Sequence, residues 1–445
     1  MIKLWNWIKE LFVKKEKDGE FDKQARIFNE RDLSKTNRGN LSCQLISFSD
    51  ASYTCSMAAK ICVGKDVDEG YAERLAHISR VVGRGHESTI AQSNIVMLLT
   101  FSDTHSESFL ELANAFKFLN FKTKTTAKLD TVVLIGGSIR AYKYFIREAM
   151  DINNPICTAI IDTLYIAAEK EFFEDFIKDG IMFKERFTFA PVAKTIMVGT
   201  EEEENQEAES TELIHQKRTV GKYVDIIHSD DPYAILDKVY YYGFDIRDVL
   251  KVTSVTLLFH DFSRSTSQQI TRHFAGISQE SQRYVDYSSA PFVNPLQFND
   301  KYDLDKKYDV ELFGTKAQMT SDELGKELIS VYDQLLKQGM LKQDARGFLI
   351  FNVATKVLMT FTFADLIHFI KERDDKAAQP EVRIMTQELE AQLAKHNESS
   401  FLFTSNTVKE LINICETPRY KYAEEELRRL NELVDEIISE EEVVE

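Results

Sequence analysis

Apolar residues return along this chain at two spacings, and the elements they predict come in matching pairs. Ala72, Leu75, Ile78 and Val82 recur at intervals of three and four, which places them on one helix face ahead of Gly85. Ile235, Leu236, Val239 and Tyr242 predict a second helix ahead of Gly243. After each glycine comes an apolar, strand-like run closing in Phe-x-Asp. The first is GHESTIAQSNIVMLLTFSD, ending through Phe101 and Asp103; the second is GFDIRDVLKVTSVTLLFHD, ending through Phe259 and Asp261. The two align without a gap. So do TVVLIGGSIRAYKYFI from Thr131 and TKVLMTFTFADLIHFI from Thr355, each a strand-like run leading into a helix. Chance explains one such match more easily than two in the same order, so the pattern predicts a duplicated chain.

Outside the paired elements the pattern changes. Leu4, Trp5, Ile8, Leu11 and Phe12 recur at helical spacing among Lys3, Lys9, Lys14 and Lys15, predicting a short amphipathic helix. It is too short and too charged to span a bilayer, and docking on protein is the expected role. Residues 201–204, with Glu207 and Glu209, are an acidic run that supports no core and reads as a linker. Another, at 440–445, reads as a frayed helix end or tail. The expected organisation is an N-terminal segment over 1–40, a first unit over 41–195, the linker over 196–217, a second unit over 218–400 and a helical acidic tail over 401–445.

Composition narrows the function classes. At 445 residues and 43% hydrophobic, the chain is long enough for two domains with substantial cores. A formal net charge of −17 argues against a surface that coats nucleic acid, so an anionic ligand needs a local cluster of basic residues. Cys43, Cys55, Cys62, Cys157 and Cys415 form neither a CxxC pair nor an even disulfide framework, which fits a reduced compartment. With no signal peptide and no spanning segment read, the expectation is a cytoplasmic protein without stable membrane insertion.

The most polar stretch lies in the longer second half. SRSTSQQITRHFAGISQESQRYVDYS, over 263–288, sets Arg264, Arg272, His273 and Arg283 among hydroxyl and amide side chains. Guanidinium groups present a planar fork to oxyanions, so the set suits a phosphate joined to a hydrogen-bonding heterocycle. A solvated polar helix and loop is the alternative reading.

RHFAGISQESQRY, at 272–284, resembles the signature of the flavin-dependent thymidylate synthases: Arg-His-Arg, a Ser, then Ser-x-Arg followed by Tyr. GHES at Gly85, ARGFLIFNVATK at Ala345 and the strand–helix segment ending at Arg373 also look like the family, in order, over most of 43–150 and 218–395. The resemblance implies an α+β fold, an antiparallel sheet with helices, in two tandem repeats of which the first is degenerate. It implies one-carbon transfer to dUMP giving dTMP, with FAD, NADPH and methylenetetrahydrofolate. The other readings are a pyrimidine-nucleotide hydroxymethylase of the same fold and a catalytically inactive nucleotide-binding paralogue.

Carried over by position, Gln269, Arg272, Gln279, Ser281 and Arg283 match deoxyuridylate-contacting residues, with Ser281 and Arg283 at the phosphate. Arg346 and Arg373 match catalytic arginines, where a cation near the uracil stabilises charge developing on the ring. His86, Ser88, Arg140 and His273 match the flavin side. The family supplies no covalent nucleophile; the flavin does the redox work, and the protein orients and polarises.

The chain departs from the pattern in complementary ways. The signature is one residue short, and Phe274 follows His273 where the family has Arg. Phe244 replaces the histidine of the GH element, Ala364 stands at the flavin-facing arginine and Ala377 where His is common. The first half has no signature, with no Arg between His105 and Lys128, and Ala91 and Gln92 replace an acidic–histidine pair. One half thus keeps flavin-type residues and the other the nucleotide motif. The resemblance to a homotetramer with composite sites then implies a homodimer that mimics the tetramer.

Overall fold

A computed structural model describes residues 41–67, 69–102, 105–112, 115–126, 130–149, 154–167 and 222–396. The N-terminal amphipathic helix, the acidic linker, the C-terminal tail, Asp103 and Cys415 lie outside the described residues. Two four-stranded antiparallel sheets organise the rest. The first unit runs β1 (Leu41–Phe48), α1 (Ala51–Ile61), α2 (Tyr71–Val82), a 3-10 turn (Glu87–Ala91), β2 (Ile95–Phe101), β3 (Asn120–Thr125), β4 (Thr131–Gly137), α3 (Ile139–Ala149) and α4 (Pro155–Ala167). The second runs β5 (Val224–Ser229), α5 (Pro232–Val239), α6 (Ile246–Leu250), β6 (Ser254–Ser263), α7 (Arg264–Ile270) and β7 (Gly276–Gln279). A hairpin of β8 (Tyr308–Leu312) and β9 (Thr315–Met319) follows, then α8 (Ser321–Lys337), α9 (Lys342–Ala345), β10 (Ala354–Thr362), α10 (Phe363–Arg373) and α11 (Pro380–His396).

The sheets share one strand order, β1-β2-β4-β3 and β5-β6-β10-β7. They also share a register. Met97 of β2 lies opposite Leu45 and Ile135, and Leu257 of β6 lies opposite Ile226 and Met359. Both first strands carry a bulge, between Leu45 and Ser47 and between Ile226 and His228. The helices after β4 and β10 are capped alike: Ser138 Oγ accepts from Ala141 N at 3.2 Å and Thr362 Oγ1 from Asp365 N at 3.1 Å.

This register keeps the ungapped alignment from Thr131 and Thr355, which pairs Ile135 with Met359. It corrects the one from Gly85 and Gly243, which pairs Leu99 with Leu257. Met97 is the residue that corresponds to Leu257, so the second unit is two residues longer between its glycine and its strand. The extra length lets α6 form, closed by a capping box between Asp245 and Asp248, where the first unit has its 3-10 turn. The two Phe-x-Asp endings therefore do not correspond. Asp261 instead sits at φ 54° beside a bulge where β6 meets β10.

The central strands of each sheet are buried on both faces. One face packs on helices of its own unit: Met97, Leu99, Val133 and Ile135 meet Tyr142, Phe145 and Ile160, and Leu257, Val357 and Met359 lie in a cluster with Phe369, Met385 and Leu389. The other face is covered by the other unit. Ile235, Val239, Phe244 and Val249 of α5, α6 and their connection lie on Val96, Leu98, Val132 and Leu134; Met57, Ala58 and Ile61 of α1 lie on Leu258 and Leu358. Strands buried on both faces read as the continuous apolar runs seen in the sequence, and each such side chain contributes about 1.5–3 kcal/mol.

Polar groups join the units where the apolar faces end. Buried Asp230, at the end of β5, accepts from Ser47 Oγ at 2.8 Å, Asn94 Nδ2 at 3.0 Å and Ser254 N at 2.7 Å. Thr360 Oγ1 meets Gln92 Oε1 at 2.6 Å. Among the described residues no disulfide forms and no helix is long and apolar enough to cross a membrane.

Candidate functional site

The site is built along β7, an edge strand of the second sheet. Its approach is fixed by Glu381 at the start of α11, which is buried and accepts from Ser263 N and Ser263 Oγ, both at 2.6 Å, and from Thr266 Oγ1 at 2.7 Å. Ser263 in turn caps α7, accepting from Thr266 N at 3.2 Å. Gln269 leaves this helix and donates from Nε2 to Gln379 Oε1.

At the N-terminal end of β7, Arg373 Nε donates to His273 Nε2 at 2.7 Å. A nitrogen that accepts from a guanidinium is unprotonated, so the neutral imidazole carries its proton on Nδ1. The ring stands edge-on to Phe369, with centroids 4.9 Å apart. Burial, then the charges of Arg373 and His368, push the His273 pKa down to about 4, with Glu372 opposing. Burial also lowers Arg373, and Arg272 lies near enough to add to that. Gln269, Arg272, His273 and Arg373 thus flank this end of the strand, while Phe274 is 82% exposed in the turn between.

At the other end, Gln279 Nε2 is buried without a hydrogen-bond partner. Ser281 N donates to Cys62 O at 3.2 Å, tying the loop to the end of α1 in the first unit. Ser281 Oγ accepts from Arg283 N at 3.3 Å, and the exposed Arg283 guanidinium lies over the Tyr284 ring. Arg264 Nη1 donates to Glu280 O at 3.2 Å, and Tyr287 donates to Glu280 Oε2 at 2.9 Å. Burial raises the Glu280 pKa against that donor. Arg346, in a 3-10 turn (Arg346–Phe348) after α9, is exposed, and its charge reaches Arg264. Among the described residues, Arg264, Arg272, Arg283, Arg346 and Arg373 make no salt bridge, although the chain is strongly acidic.

The third side of β7 belongs to the first unit. The 3-10 turn Glu87–Ala91 packs against β7 and against α3. A Cβ added to Gly276 would meet Ala91 O at 2.7 Å, so the close approach requires glycine. His86 and Ser88 are exposed on this turn. Arg140, on α3, donates from Nη2 to Tyr144 OH at 3.2 Å, and its Nε is buried without a partner. Arg147 meets Glu87 at 2.7 Å and lowers its pKa. The turn carrying His86 and Ser88 and the strand between the motif's arginines are therefore in contact within one chain.

Sequence reading missed Glu381, Tyr287 and the Cys62 contact. Glu381 follows a proline in an otherwise ordinary amphipathic helix, and only the fold brings it to Ser263.

Residues 192–397, covering the second unit, match the family model described as thymidylate synthase complementing protein. The flavin-dependent thymidylate synthase of Pyrococcus abyssi is 29% identical over 177 residues, 39% of this chain and 66% of that protein. The one from Geobacter sulfurreducens is 29% identical over 164 residues, 37% and 65% respectively, and the one from Thermococcus kodakarensis 30% over 159, 35% and 60%. The chain thus spans less than two thirds of the length of these relatives. Among solved structures, Thymidylate Synthase X from Helicobacter pylori with FAD and dUMP is 16% identical, covering 42% of this chain and 99% of that one at a TM-score of 0.31. A UMP/dUMP methylase, PolB from Streptomyces cacaoi, bound with 5-Br dUMP, is 18% identical over 40% and 91% at a TM-score of 0.29.

Proposed function

We propose that this chain, whose residues 192–397 match the family model described as thymidylate synthase complementing protein, transfers a one-carbon unit to dUMP at a site shared by its two units. The observation that carries the proposal is the set of guanidinium groups without salt bridges around the two ends of β7, the strand on which the first unit's 3-10 turn packs. Cations without carboxylate partners, gathered around one strand of an acidic protein, fit an anionic ligand.

Ser281 and Arg283 hold the phosphate, and the unpartnered Nε2 of Gln279 is a donor free for a carbonyl of the base. Arg373, whose Nε is fixed by neutral His273, turns its remaining N–H groups to the ring and stabilises negative charge developing there. Gln269, Arg272 and Arg346 complete the nucleotide side. FAD fits the adjoining side, where the orphaned Arg140 Nε and the exposed His86 and Ser88 are available to its polar groups. When bound, FAD supplies the electron transfer that no side chain of the site can, with NADPH as reductant and methylenetetrahydrofolate as the carbon donor.

The shared strand order and register of the sheets support two tandem repeats of one fold. The contact between the Glu87–Ala91 turn and β7 supports a composite site formed in cis, with His86, Ser88 and Arg140 from one repeat and the nucleotide motif from the other. A homodimer of this chain then mimics a homotetramer. Exposed Phe274, in place of an arginine, favours one second reading: a nucleotide-binding paralogue without the redox step.

The full chain, purified and incubated with FAD, is expected to show a bound flavin spectrum and to bind dUMP. Mass spectrometry of the product then separates methyl from hydroxymethyl transfer. A colourless protein that binds dUMP supports the second reading, and failure to bind dUMP refutes both.

A further inference from the structure

A second basic cluster sits on the first sheet, away from the arginines of β7. Lys122 and Lys124 alternate along β3 and lie opposite Leu134 and Val132, so they project on the face that α5 and α6 of the second unit cover. Phe121, next to Lys122 and on the opposite side of the alternation, packs on the first core instead. Lys124 Nζ is buried 2.8 Å from Asp248 Oδ2 and 5.6 Å from the centre of the Phe244 ring. That contact occupies one direction of an ammonium with three N–H donors. Asp248 is also committed elsewhere, since its carboxylate closes the capping box with Asp245 N.

Lys122 is half-buried, and Lys251, the exposed residue that ends α6 three positions after Asp248, is near enough for its charge to act on it. Like charges brought together repel, and more strongly where water is partly excluded. Burial, then Lys251, depress the Lys122 pKa, Lys124 adds to this, and Asp248 opposes it. Asp365 also feels the Lys251 charge, but its carboxylate is bonded to Thr362 Oγ1. Three lysines therefore converge from two units on carboxylates already engaged, in a chain of net charge −17.

The place of this cluster in the fold is informative. By register, Lys122 stands where Ser278 stands in β7 and Lys124 where Glu280 follows that strand, and α6 stands where the first unit has its 3-10 turn. The cluster is thus the counterpart, across the paired units, of the arginine-lined site. Its arginines and amides are absent and ammonium groups have taken their place. We propose that Lys122, Lys124 and Lys251 form a binding site for a phosphate-class oxyanion at the junction of β3 and α6, separate from the β7 site. An oxyanion between Lys122 and Lys251 replaces their repulsion with charge-assisted hydrogen bonds, and lysine suits it as a point charge. Because the donors come from both units, occupancy clamps them together.

The test uses the full chain with inorganic phosphate as the probe and chloride at equal ionic strength as the control. Thermal melting and calorimetry are read for wild type, Arg283→Ala, Lys122→Gln and Lys251→Gln. Phosphate is expected to raise the Tm of wild type and of Arg283→Ala, while each lysine variant weakens binding about tenfold or more, as loss of one charge-assisted contact requires. Circular dichroism confirms that the lysine variants fold. UMP added to Arg283→Ala separates sources: tighter binding than inorganic phosphate assigns the anion to a nucleotide, and equal binding to free phosphate. The proposal is overturned if phosphate acts no differently from chloride, if Arg283→Ala loses the response, or if both lysine variants keep it.

Discussion

Replacing Asp230 by alanine tests whether the polar contacts between the units hold the site in place. The carboxylate accepts from Ser254 N at 2.7 Å and Asn94 Nδ2 at 3.0 Å, both buried, and from Ser47 Oγ at 2.8 Å, which is half-buried and can turn to water. Alanine leaves the Ser254 N–H and one proton of Asn94 Nδ2 without an acceptor, the other proton still reaching Val252 O at 2.8 Å, at about 1–3 kcal/mol each, and the expected loss is roughly 3–5 kcal/mol. Asn retains one acceptor and should cost about half as much. Burial alone raises the Asp230 pKa, but His228, Ser254 and Ser47 more than reverse it, and the net shift is downward. A depressed carboxylate contributes stability that is complete above its unfolded pKa and is lost as pH falls through the folded value, so Asp230→Ala should also flatten the acid limb. Asn94 precedes β2 and follows the Glu87–Ala91 turn closely, so the same change should loosen that turn on β7 and weaken flavin retention. Urea unfolding followed by circular dichroism measures the first effect. A loss below about 1 kcal/mol refutes the reasoning, because it means the donors find water and the junction is not dry.

Three further outcomes are expected. Arg283→Ala should weaken dUMP binding about 10- to 150-fold, the equivalent of one charged hydrogen bond at roughly 1.5–3 kcal/mol, whereas His86→Ala should reduce flavin retention and leave dUMP affinity nearly unchanged; calorimetry that finds the reverse undoes the division of labour. His273, depressed to about 4, contributes stability that is complete above the unfolded value of 6.5 and is lost as pH falls toward 4. Discounted for half exposure, wild type should lose about 1 kcal/mol more than His273→Asn between pH 7 and pH 5, and equal urea midpoints for the two would place the proton elsewhere. Gly276→Ala drives a Cβ to within 2.7 Å of Ala91 O, so it should cost about 1–3 kcal/mol and impair flavin binding before dUMP binding; an unchanged melting temperature would show that the turn yields freely.

The paired elements were legible because strands buried on both faces leave long apolar runs, and runs survive when individual residues change. Register was not legible to the same degree. Between Gly243 and β6 the sequence offers a polar stretch that could close as a 3-10 turn or as a short helix, and the Asp245–Asp248 capping box that decides it became decisive only with the strand pairing in view. The arginines of the motif could be read as an anion site from their density. Arg373 could not be placed beside His273, a hundred positions away, without the fold. Glu381, Asn94 and Asp230 gave no signal at all, since a buried carboxylate or amide looks in sequence like any solvated one.

Ala91 and Gln92, which stand where the resemblance implies an acidic–histidine pair, are both taken up by contacts between the units. Ala91 O lies against Gly276, and Gln92 is buried against Thr360, which shares a 2.8 Å hydrogen bond with Thr256 on the neighbouring strand. Residues of the first unit's turn are thereby wired into the centre of the second sheet. The reciprocal position, Val252, presses on Gly136, where an added Cβ would meet Val252 O at 2.4 Å. Both approaches are close, but only one borders open arginines; the other ends in Phe244, 2% exposed, and the Lys124–Asp248 pair. An arrangement that is symmetric in its backbone and asymmetric in its side chains has a physical advantage in one chain. A covalent pair of units can change one face without changing the other, which two identical subunits cannot do, because in them every substitution appears on both sides of the axis.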